Sequence, residues 1–493
     1  MRSRSSFTSG LLLGLTLALS PTVALATTFN VATDAELETA IQGAAAGDEI
    51  VLADGIYSST GISCASSGTE QSPILVRAAT PLGAEVRFDA VEGFHVTGDN
   101  WHFEDLRVTG VCADDSACEH AFHVAGASGF VMRRVTAVDF NAQLKVNSAQ
   151  SGASWTLPQK GLVEGCDLHD TRARNTANPV TKLDMDSGDD WIVRGNIIHD
   201  FQKGQGDNVS YAAFLKCGGM RGLMEQNLVL CERDFAGGTR IGLSLGGGGC
   251  APQFCEPSFD AGTPCVEHHD GIVRNNIIAQ CSDVGVYVNA SANSHVFYNT
   301  LIGTAGIDFR FAPTTGLAAG NLLAGKVRNR DGATGQFSQN LEDVTQTTFD
   351  GWYMAPLVGD LRKMGDQSAL LGQGTAVAEV PDDYCARTRS QAYDLGALQA
   401  SLGDCDTTQP PVTASSTGTG ASTGTAPQTG TGSGPGAGGA ASSGSGGAGA
   451  ASNGSSGCGC RVAEEPPAGT LIAMVLAAMA LAVSRRAKSL RPK

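Results

Sequence analysis

Short apolar segments recur along the chain, and each consists of β-forming residues, an asparagine and two or three further apolar residues. The recurring position is occupied in turn by Leu106, Val135, Cys166, Asn196, Asn227, Asn276, Asn299 and Asn321. The last two copies are 22 residues apart, whereas earlier copies are separated by longer and variable distances. A constant minimum spacing between copies, lengthened in places by insertions, is typical of a solenoid, in which insertions are confined to loops.

A second short strand precedes each of these segments and alternates apolar, variable and apolar residues, which is the period-2 mark of a strand with one buried face. Its copies are Phe122-His123-Val124, Leu144-Lys145-Val146, Leu183-Asp184-Met185, Leu215-Lys216-Cys217, Leu243-Ser244-Leu245, Val286-Tyr287-Val288 and Ile307-Asp308-Phe309. The two patterns together predict an all-β fold of at least eight coils stacked as parallel strands. Repeated asparagines at a turn fit this fold, because their amides can hydrogen-bond from coil to coil.

The first coil is preceded by a helix signal. Thr33 and Glu36 have the spacing of a capping box, and Leu37, Ala40 and Ile41 then fall on one helix face. Exposed ends of stacked strands template aggregation. We therefore expect this helix to cover the first coil as an N-terminal cap.

The composition narrows the choice of function. Glycine accounts for 64 of 493 residues, which indicates a turn-rich body and disfavours a helical bundle. The formal net charge of -16 leaves no broad basic surface, which counts against a nucleic-acid binder.

The N-terminal residues 1–26 resemble a secretory signal peptide. Arg2 and Arg4 form a basic start, residues 10–19 form a short apolar stretch, and Ala24-Leu25-Ala26 is a small-residue cleavage site. The apolar run is too short for a membrane-spanning helix. The sequence therefore predicts export and a body over residues 27–405.

The C-terminal part divides into a spacer and a terminal segment. Residues 406–457 are almost only Gly, Ser, Thr, Ala and Pro, which predicts a disordered linker. Residues 458–493 contain Cys458-Gly459-Cys460, an apolar stretch over 468–483 and a basic cluster. This order resembles the sorting signal of myxobacterial surface proteins, which implies cleavage and anchoring in the cell envelope; a permanent single-pass transmembrane helix is the alternative. Either reading places the body outside the cell, at its outer surface.

Twelve cysteines fall within the body, an even count that favours disulfides in an exported protein. Local bridges are predicted for Cys112–Cys118, for Cys385–Cys405 and for one pair among Cys250, Cys255 and Cys265.

Four stretches carry a family resemblance. Residues 35–57 and 73–90 resemble the entry of right-handed parallel β-helix proteins, notably the polysaccharide lyases that include chondroitinase B and alginate lyases. Residues 368–375 and 382–398 resemble the closing segment of secreted β-helix proteins. The resemblance covers roughly residues 28–400. It implies a right-handed parallel β-helix and a polysaccharide partner.

The residues that follow each inward position of the second strand should face outward and form two rows. The first row is His123, Lys145, Asp184, Lys216, Ser244, Tyr287 and Asp308, and the second is Ala125, Asn147, Asp186, Gly218, Gly246, Asn289 and Arg310. Neighbouring coils lie about 4.8 Å apart, so each row forms a ladder along one face. Long insertions flank these strands and could form the walls of a groove that suits an extended polymer.

Such a groove suits β-elimination of an acidic polysaccharide, which needs a cation to neutralise the sugar carboxylate and a base to remove the adjacent proton. The resemblance implies a lysine base in a strand followed by an asparagine turn, and Lys216 matches that setting. Lys145 or Arg310 would then neutralise the carboxylate, with His123 beside them. The family's arginine position falls near Ser244, and Val209 and Tyr211 stand where the family has paired glutamates for calcium. Substrate contacts are predicted for Asn147, Tyr287, Asn289 and Asp308.

A calcium site is predicted from Asp184, Asp186, Asp189 and Asp190, because carboxylates on a strand and the next turn can supply hard oxygen ligands. A solvated acidic turn is the alternative. His169-Asp170 and His199-Asp200 recur at one turn position, which favours a structural histidine stack.

Two other functions remain open on the same scaffold. One is a non-catalytic adhesin or surface carbohydrate-binding module. The other is a glycoside hydrolase, whose carboxylate pair would be Asp184 with Asp186 or with Asp308.

Overall fold

The computed structural model describes residues 26–247, 266–389 and 392–409. Within these ranges the chain winds as a right-handed parallel β-helix with three long parallel sheets, which confirms the predicted fold class. Each complete coil contributes one strand to each sheet, so sequence-distant segments become neighbours.

In each of the three sheets, neighbouring strands follow one another in chain order. Sheet 1 contains Thr28–Val31, Glu49–Leu52, Ile74–Ala78, Trp101–Glu104, Val131–Arg133, Leu162–Glu164, Ile192–Arg194, Leu223–Glu225, Ile272–Arg274, Ser294–Phe297, Thr315–Ala319 and Thr334–Ser338. Sheet 2 contains Ile62–Cys64, Glu92–Val96, His120–Ala125, Ala142–Asn147, Val180–Asp186, Val209–Lys216, Thr239–Leu245, Val286–Asn289, Gly306–Arg310 and Lys326–Arg330. Sheet 3 contains Gly55–Ser59, Ala84–Phe88, Arg107–Gly110, Thr136–Val138, Asp167–His169, Ile197–His199, Leu228–Leu230, Ile277–Ala279, Thr300–Ile302 and Leu322–Leu323.

Smaller elements decorate this framework. An antiparallel hairpin pairs Ala149–Ser151 with Ser154–Thr156, and a second pairs Tyr353–Ala355 with Asp360–Lys363. A short parallel sheet joins Gly219–Met220, His268–His269 and Ser291–Ala292. The helices are α1 (Asp34–Gly43) and α2 (Gln346–Trp352), with short 3₁₀ turns at Asp115–Ala117, Pro356–Val358 and Ala400–Leu402.

Helix α1 has the predicted capping role. The Thr33 side chain accepts a hydrogen bond from the Glu36 backbone, and the Glu36 carboxylate accepts one from the Thr33 backbone in return. The helix buries Leu37, Ala40 and Ile41. Because these three residues belong to the main core cluster, α1 shields the first coil from solvent.

The core is a column of stacked inward side chains. Along sheet 2 the strand register aligns Phe94, Phe122, Leu144, Leu183, Ala213, Leu243, Val286, Ile307 and Val327. Phe94 packs against Phe122 with ring centroids 5.2 Å apart, and both rings contact Phe103 from sheet 1. The bulky residues of one coil therefore rest directly on those of the next.

The predicted asparagines form a buried ladder at the turn between sheets 1 and 3. Asn227 Oδ1 accepts from the Asn196 side-chain amide at 2.9 Å, and Asn227 Nδ2 donates to Asn276 Oδ1 at 2.9 Å. The same pattern continues through Asn299 and Asn321 and ends at Asn340. Each side chain also satisfies backbone groups of the turn, so the ladder pairs polar groups that the fold must bury.

Residues 341–407 return along the outside of the β-helix. Phe349, Tyr353, Leu370 and Tyr384 pack with the outward residues of the last sheet 3 strands in a separate apolar cluster. Arg389 donates to Asn275 Oδ1 at 2.9 Å, which fixes this segment to the turn after sheet 1. The predicted closing stretches therefore pack over the last strands of sheet 3 and also contact Phe297 at the end of a sheet 1 strand.

The predicted bridges Cys112–Cys118 and Cys385–Cys405 are both formed. A further bridge, Cys231–Cys281, joins two coils just after their sheet 3 strands and was not predicted. Cys64 and Cys166 are free and buried.

Several predictions fall outside the described residues: the signal peptide up to residue 25, the candidate bridge among Cys250, Cys255 and Cys265, nearly all of the 406–457 linker, and residues 458–493. Within the ranges that are described, no helix is long and apolar enough to cross a membrane.

The asparagine ladder yields the first testable prediction. Replacing Asn227 with Ala leaves the Val193 carbonyl and the backbone and side-chain amides of Asn196 without this buried partner, so the free energy of unfolding should fall by at least about 2 kcal/mol. Asn340→Ala is the matched control, because Asn340 ends the ladder and is half-buried. Urea unfolding followed by circular dichroism measures both, and equal losses would contradict a role for the ladder interior.

Candidate functional site

The outward face of sheet 2 carries the predicted row. The register aligns His123 with Lys145 and Lys145 with Asp184 in successive strands, as predicted. Further along, Ser244 aligns with Tyr287 and Tyr287 with Asp308. All of these residues therefore lie on one face of the β-helix.

The predicted position of Lys216 was wrong by two residues. Lys216 pairs with Asp186 rather than with Asp184, and Phe214 pairs with Asp184. Lys216 therefore belongs to the second outward row, where Gly218 was expected. The physical reason is that Ala213 and Leu215 both face inward, so a shift of two residues preserves the alternation and both registers fit the pattern.

Four charges from the two outward rows of three neighbouring strands meet on this face. Lys145 Nζ donates to Asp184 Oδ1 at 2.8 Å and to Asp186 Oδ2 at 2.7 Å. Lys216 Nζ lies 3.7 Å from Asp186 Oδ1 and 4.3 Å from the centre of the Phe214 ring. The side chains of the two lysines are only 16% and 6% exposed, so these charges are largely withdrawn from solvent. We call Lys145, Asp184, Asp186 and Lys216 the lysine–aspartate cluster.

Burial and ion pairing act against each other in this cluster. Burial disfavours the Lys145 ammonium, but Asp184 and Asp186 outweigh it and raise the pKa of Lys145. Burial and the neighbouring Asp186 carboxylate raise the pKa of Asp184, whereas burial of Asp186 is outweighed by the two lysines, which lower its pKa. Lys145 is therefore a permanent cation held between two carboxyl groups.

His123 is the next outward residue toward the N-terminus. Its Nδ1 lies 2.7 Å from Glu92 Oε1 and its Nε2 lies 2.5 Å from Asn147 Oδ1. Asn147 in turn donates through Nδ2 to the Ser148 carbonyl at 2.9 Å. His95 stacks on the His123 ring at 5.1 Å from the preceding coil. These contacts fix the orientation of the imidazole.

The C-terminal half of the face is built around arginine. Arg310 donates to the Tyr287 hydroxyl at 3.2 Å and pairs with Asp331. Asp308 is 1% exposed on its side chain and accepts from Arg328 and Arg330 at 2.7 Å each. Asn289 aligns with Arg310 in the second row. The residues predicted to contact substrate therefore lie on the sheet 2 face, where Asp308 is already paired with two guanidinium groups.

The four aspartates predicted to bind calcium are held in ion pairs with basic side chains. Asp184 and Asp186 contact Lys145, whereas Asp190 pairs with Arg221 at 2.7 Å and Asp189 lies 3.4 Å from the same guanidinium. Among the described residues, the groupings of three potential ligands that could hold a metal ion do not include any of these four.

Insertions border the face as predicted. On one side the hairpin 149–156 follows directly after Asn147. On the other side residues 170–179 pack against residues 112–119, where Arg172 forms two hydrogen bonds with Asp115, at 2.6 and 2.8 Å.

The predicted histidine stack lies elsewhere, on sheet 3. The rings of His169 and His199 are 4.3 Å apart and nearly parallel. His199 Nδ1 lies 2.7 Å from Asp200 and its Nε2 lies 3.1 Å from Asp167. Burial opposes protonation of His199, but the hydrogen bonds to Asp167 and Asp200 raise its pKa. The stack is therefore a partly buried ionic contact that supports the fold.

Sequence reasoning missed three residues beside His123. Glu92 and His95 lie on strand Glu92–Val96, and His120 lies on the next strand, in register with Glu92. A usable signal was present: an E-x-x-H pattern over 92–95 and an H-x-x-H pattern over 120–123, spaced 28 residues apart.

Comparisons with known proteins agree with the parallel β-helix fold described above. The sequence profile described as chondroitinase B matches residues 31–186, less than half of the chain. No curated protein matches the chain. Among solved structures, pectate lyase Pel9A superposes with a TM-score of 0.53 at 15% identity, over 76% of this chain and 97% of that one. The chain therefore has a polysaccharide lyase-like β-helix fold.

Two further structures show weaker likeness. A rhamnogalacturonan lyase gives a TM-score of 0.45 at 14% identity, over 69% of this chain and 96% of that one. An alginate lyase from Paenibacillus sp. str. FPU-7 gives 0.40 at 16% identity, over 64% and 95%.

The lysine–aspartate cluster yields a stability prediction. Lys145→Met leaves two buried carboxyl groups without their main cation, so the free energy of unfolding at neutral pH should fall by about 3–5 kcal/mol. This loss of stability should be smaller at acidic pH, because protonation of Asp184 and Asp186 removes their unpaired negative charges. The control is Lys145→Met combined with Asp184→Asn and Asp186→Asn, which should recover most of the stability. An unchanged urea midpoint in the single variant would contradict the cluster.

The histidine stack yields a pH prediction. The folded pKa of His199 is raised, so its stabilisation is present below the unfolded pKa of about 6.5 and is lost as pH rises through the folded value. Hydrogen bonds from His169 and His199 outweigh burial and lower the pKa of Asp167 in the folded state. The stabilisation that Asp167 contributes is therefore present above its unfolded pKa of about 3.9 and is lost as the pH falls through its folded pKa. The substitution His199→Gln should therefore lower the free energy of unfolding most, by roughly 2 kcal/mol, between about pH 3.9 and 6.5.

Thermal unfolding from pH 4 to 8 measures this difference. His102→Gln is the control, because burial lowers the pKa of His102 to about 4 and its linkage has the opposite sign. A penalty for His199→Gln that grows above neutral pH would contradict the ionic stack.

Proposed function

We propose that this chain is an exported protein, anchored at the outer cell surface, that binds an acidic polysaccharide along sheet 2 and cleaves it by β-elimination. The observation that carries the proposal is the placement of His123, Lys145 and Lys216 on one face within four successive strands. The polysaccharide lyase-like fold supports it. Export and anchoring rest on the sequence of residues 1–26 and 406–493.

The spacing of the coils assigns the roles. Lys145 and Lys216 stand two coils apart, yet both ammonium groups reach Asp186, at 2.7 and 3.7 Å. They can therefore act on one sugar unit. Three coil steps of about 4.8 Å separate Lys216 from His123 on one side and from Arg310 on the other, which is about 14 Å in each direction. His123 and Arg310 thus belong to neighbouring subsites and bind adjacent sugars.

In the proposed reaction Lys145 faces the uronate carboxylate as the cation, and Lys216 in its amine form removes the C5 proton. The electron pair left on C5 forms the C4=C5 double bond as the C4–O bond breaks, and the leaving oxygen takes a proton from water. The proton of the Lys216 ammonium passes to water before substrate binds, which leaves the amine free to act as the base. The products are an unsaturated sugar and a new chain end.

A second candidate, binding without cleavage, is favoured by one observation. Both lysines are held against carboxylates and are largely buried, which is also the geometry of a structural ion-pair cluster. In that case Arg310, which donates to the Tyr287 hydroxyl, would carry a carbohydrate-binding function.

The test is incubation of the purified chain with alginate, chondroitin or pectate, with and without calcium, while the ultraviolet absorbance of the C4=C5 bond is followed. We expect absorbance to rise with one of these polymers and to be abolished in Lys216→Met. Lys363→Met, on the exposed hairpin outside the β-helix, is the matched control and should retain activity.

Other outcomes discriminate between the candidates. Release of reducing ends without a rise in ultraviolet absorbance would show that the polymer is cleaved by hydrolysis and not by elimination. Retention of polymer on the chain with neither signal would replace it by binding alone.

A further inference from the structure

A cluster of imidazole and carboxylate groups lies at the N-terminal end of the sheet 2 face, one coil before the lysine–aspartate cluster. Strand Glu92–Val96 supplies Glu92 and His95, and strand His120–Ala125 supplies His120 and His123. The parallel register sets Glu92 against His120 and His95 against His123. Two ligand-bearing residues three positions apart are thus repeated in adjacent coils.

The local backbone brings both members of each pair to the same region. A regular strand would send residues three apart to opposite faces. In this strand Ala121 and Phe122 are both buried between His120 and His123, and the same pattern precedes His95. The consecutive buried residues interrupt the alternation, so the flanking side chains converge.

We propose that Glu92, His120 and His123 form a binding site for a transition-metal ion of the zinc class. One ligand atom from each residue lies within 4.8 Å of the others. Glu92 Oε1 is 2.7 Å from His123 Nδ1 and 3.9 Å from His120 Nδ1. These separations bracket the distance of about 3.3 Å between tetrahedral ligands whose bonds to zinc are about 2.0 Å long. His95 Nδ1 lies 3.9 Å from the other carboxylate oxygen, Glu92 Oε2, beside this group of three.

The hydrogen bonding of His123 supports this assignment. Asn147 Nδ2 donates to the Ser148 carbonyl, so Asn147 Oδ1 must face His123 and accept from Nε2–H. Nδ1 is then directed at the Glu92 carboxylate. A metal-bound histidine typically donates its other ring N–H to an oxygen in this way, which fixes the tautomer.

His120 supplies the second observation. Its Nδ1 is buried without a hydrogen-bond partner. Buried polar atoms of this kind are rare, and one reason for them is an ion that completes the site. Around the cluster lie Glu119, whose Oε2 is 3.9 Å from His120 Nε2, and Lys145, whose charge is already balanced by its two aspartates.

The inference is independent of the proposed elimination, because it concerns metal binding without a polysaccharide. Imidazole ligands select zinc-class ions over calcium, so this site differs in chemistry from the calcium site predicted on the aspartates. An ion here would leave its remaining coordination position to water or to a sugar oxygen on the sheet 2 face.

The test uses the full chain without a polyhistidine tag, stripped with a chelator and titrated with Zn²⁺ by calorimetry. We expect one ion to bind per chain, excess Ca²⁺ to fail as a competitor, and the unfolding midpoint to rise with zinc. Glu92→Gln and His120→Gln should each abolish this binding. Asn147→Ala should weaken it by about 10- to 100-fold, as loss of an outer-shell partner does.

His169→Gln is the matched control, because Asp167, His169 and His199 form another grouping of potential ligands, on sheet 3. It should retain zinc binding. The proposal is overturned if the wild-type chain binds no zinc, if both Glu92→Gln and His120→Gln bind it normally, or if only His169→Gln loses it. Metal-free unfolding curves of each variant show whether it is folded, and Glu92→Gln, a half-buried position, decides the question if His120→Gln does not fold.

Discussion

The structure depends on one constraint: each strand hydrogen-bonds in parallel to the equivalent strand of the next coil, in a fixed register. A slip of one residue would turn every inward side chain outward, so the core holds the register in place. The column from Phe94 through Leu183 and the asparagine ladder are two results of this constraint. The vertical contact between Lys145 and Asp184 is a third, because the same stacking that aligns the core also aligns the residues beside it.

Much of the fold could be predicted because the signals repeat. The asparagine spacing indicated the coils and their turns, and the alternation around Leu144 and Leu183 placed Lys145 above Asp184 correctly. The position of Lys216 could not be fixed, since Ala213 and Leu215 satisfy the same pattern. The hydrogen bond between Lys145 and Asp186 depends on side-chain conformation, which cannot be deduced from the spacing of residues in the sequence. The proximity of Glu92 and His120 depends on an interrupted alternation that a strict period of two hides.

The outward face of sheet 2 combines two demands that oppose each other. A groove that excludes water strengthens the interaction of a charged side chain with its ligand. It also requires every buried charge to have a partner within the protein when no ligand is bound. Lys145 meets the second demand with Asp184 and Asp186. Charge pairs of this kind keep the face folded, and a polyanionic ligand would have to compete with the aspartates for the same cation.

The return of residues 341–407 over sheet 3 has a consequence for how this molecule can change. The wall of the β-helix that is covered by Tyr384 and its neighbours is committed to packing, whereas the loops beside sheet 2, such as the hairpin at 149–156, lie outside that apolar cluster. Lengthening or shortening those loops leaves the packed wall intact. The sheet 2 side of the molecule can therefore change in evolution while the packed side maintains its resistance to unfolding.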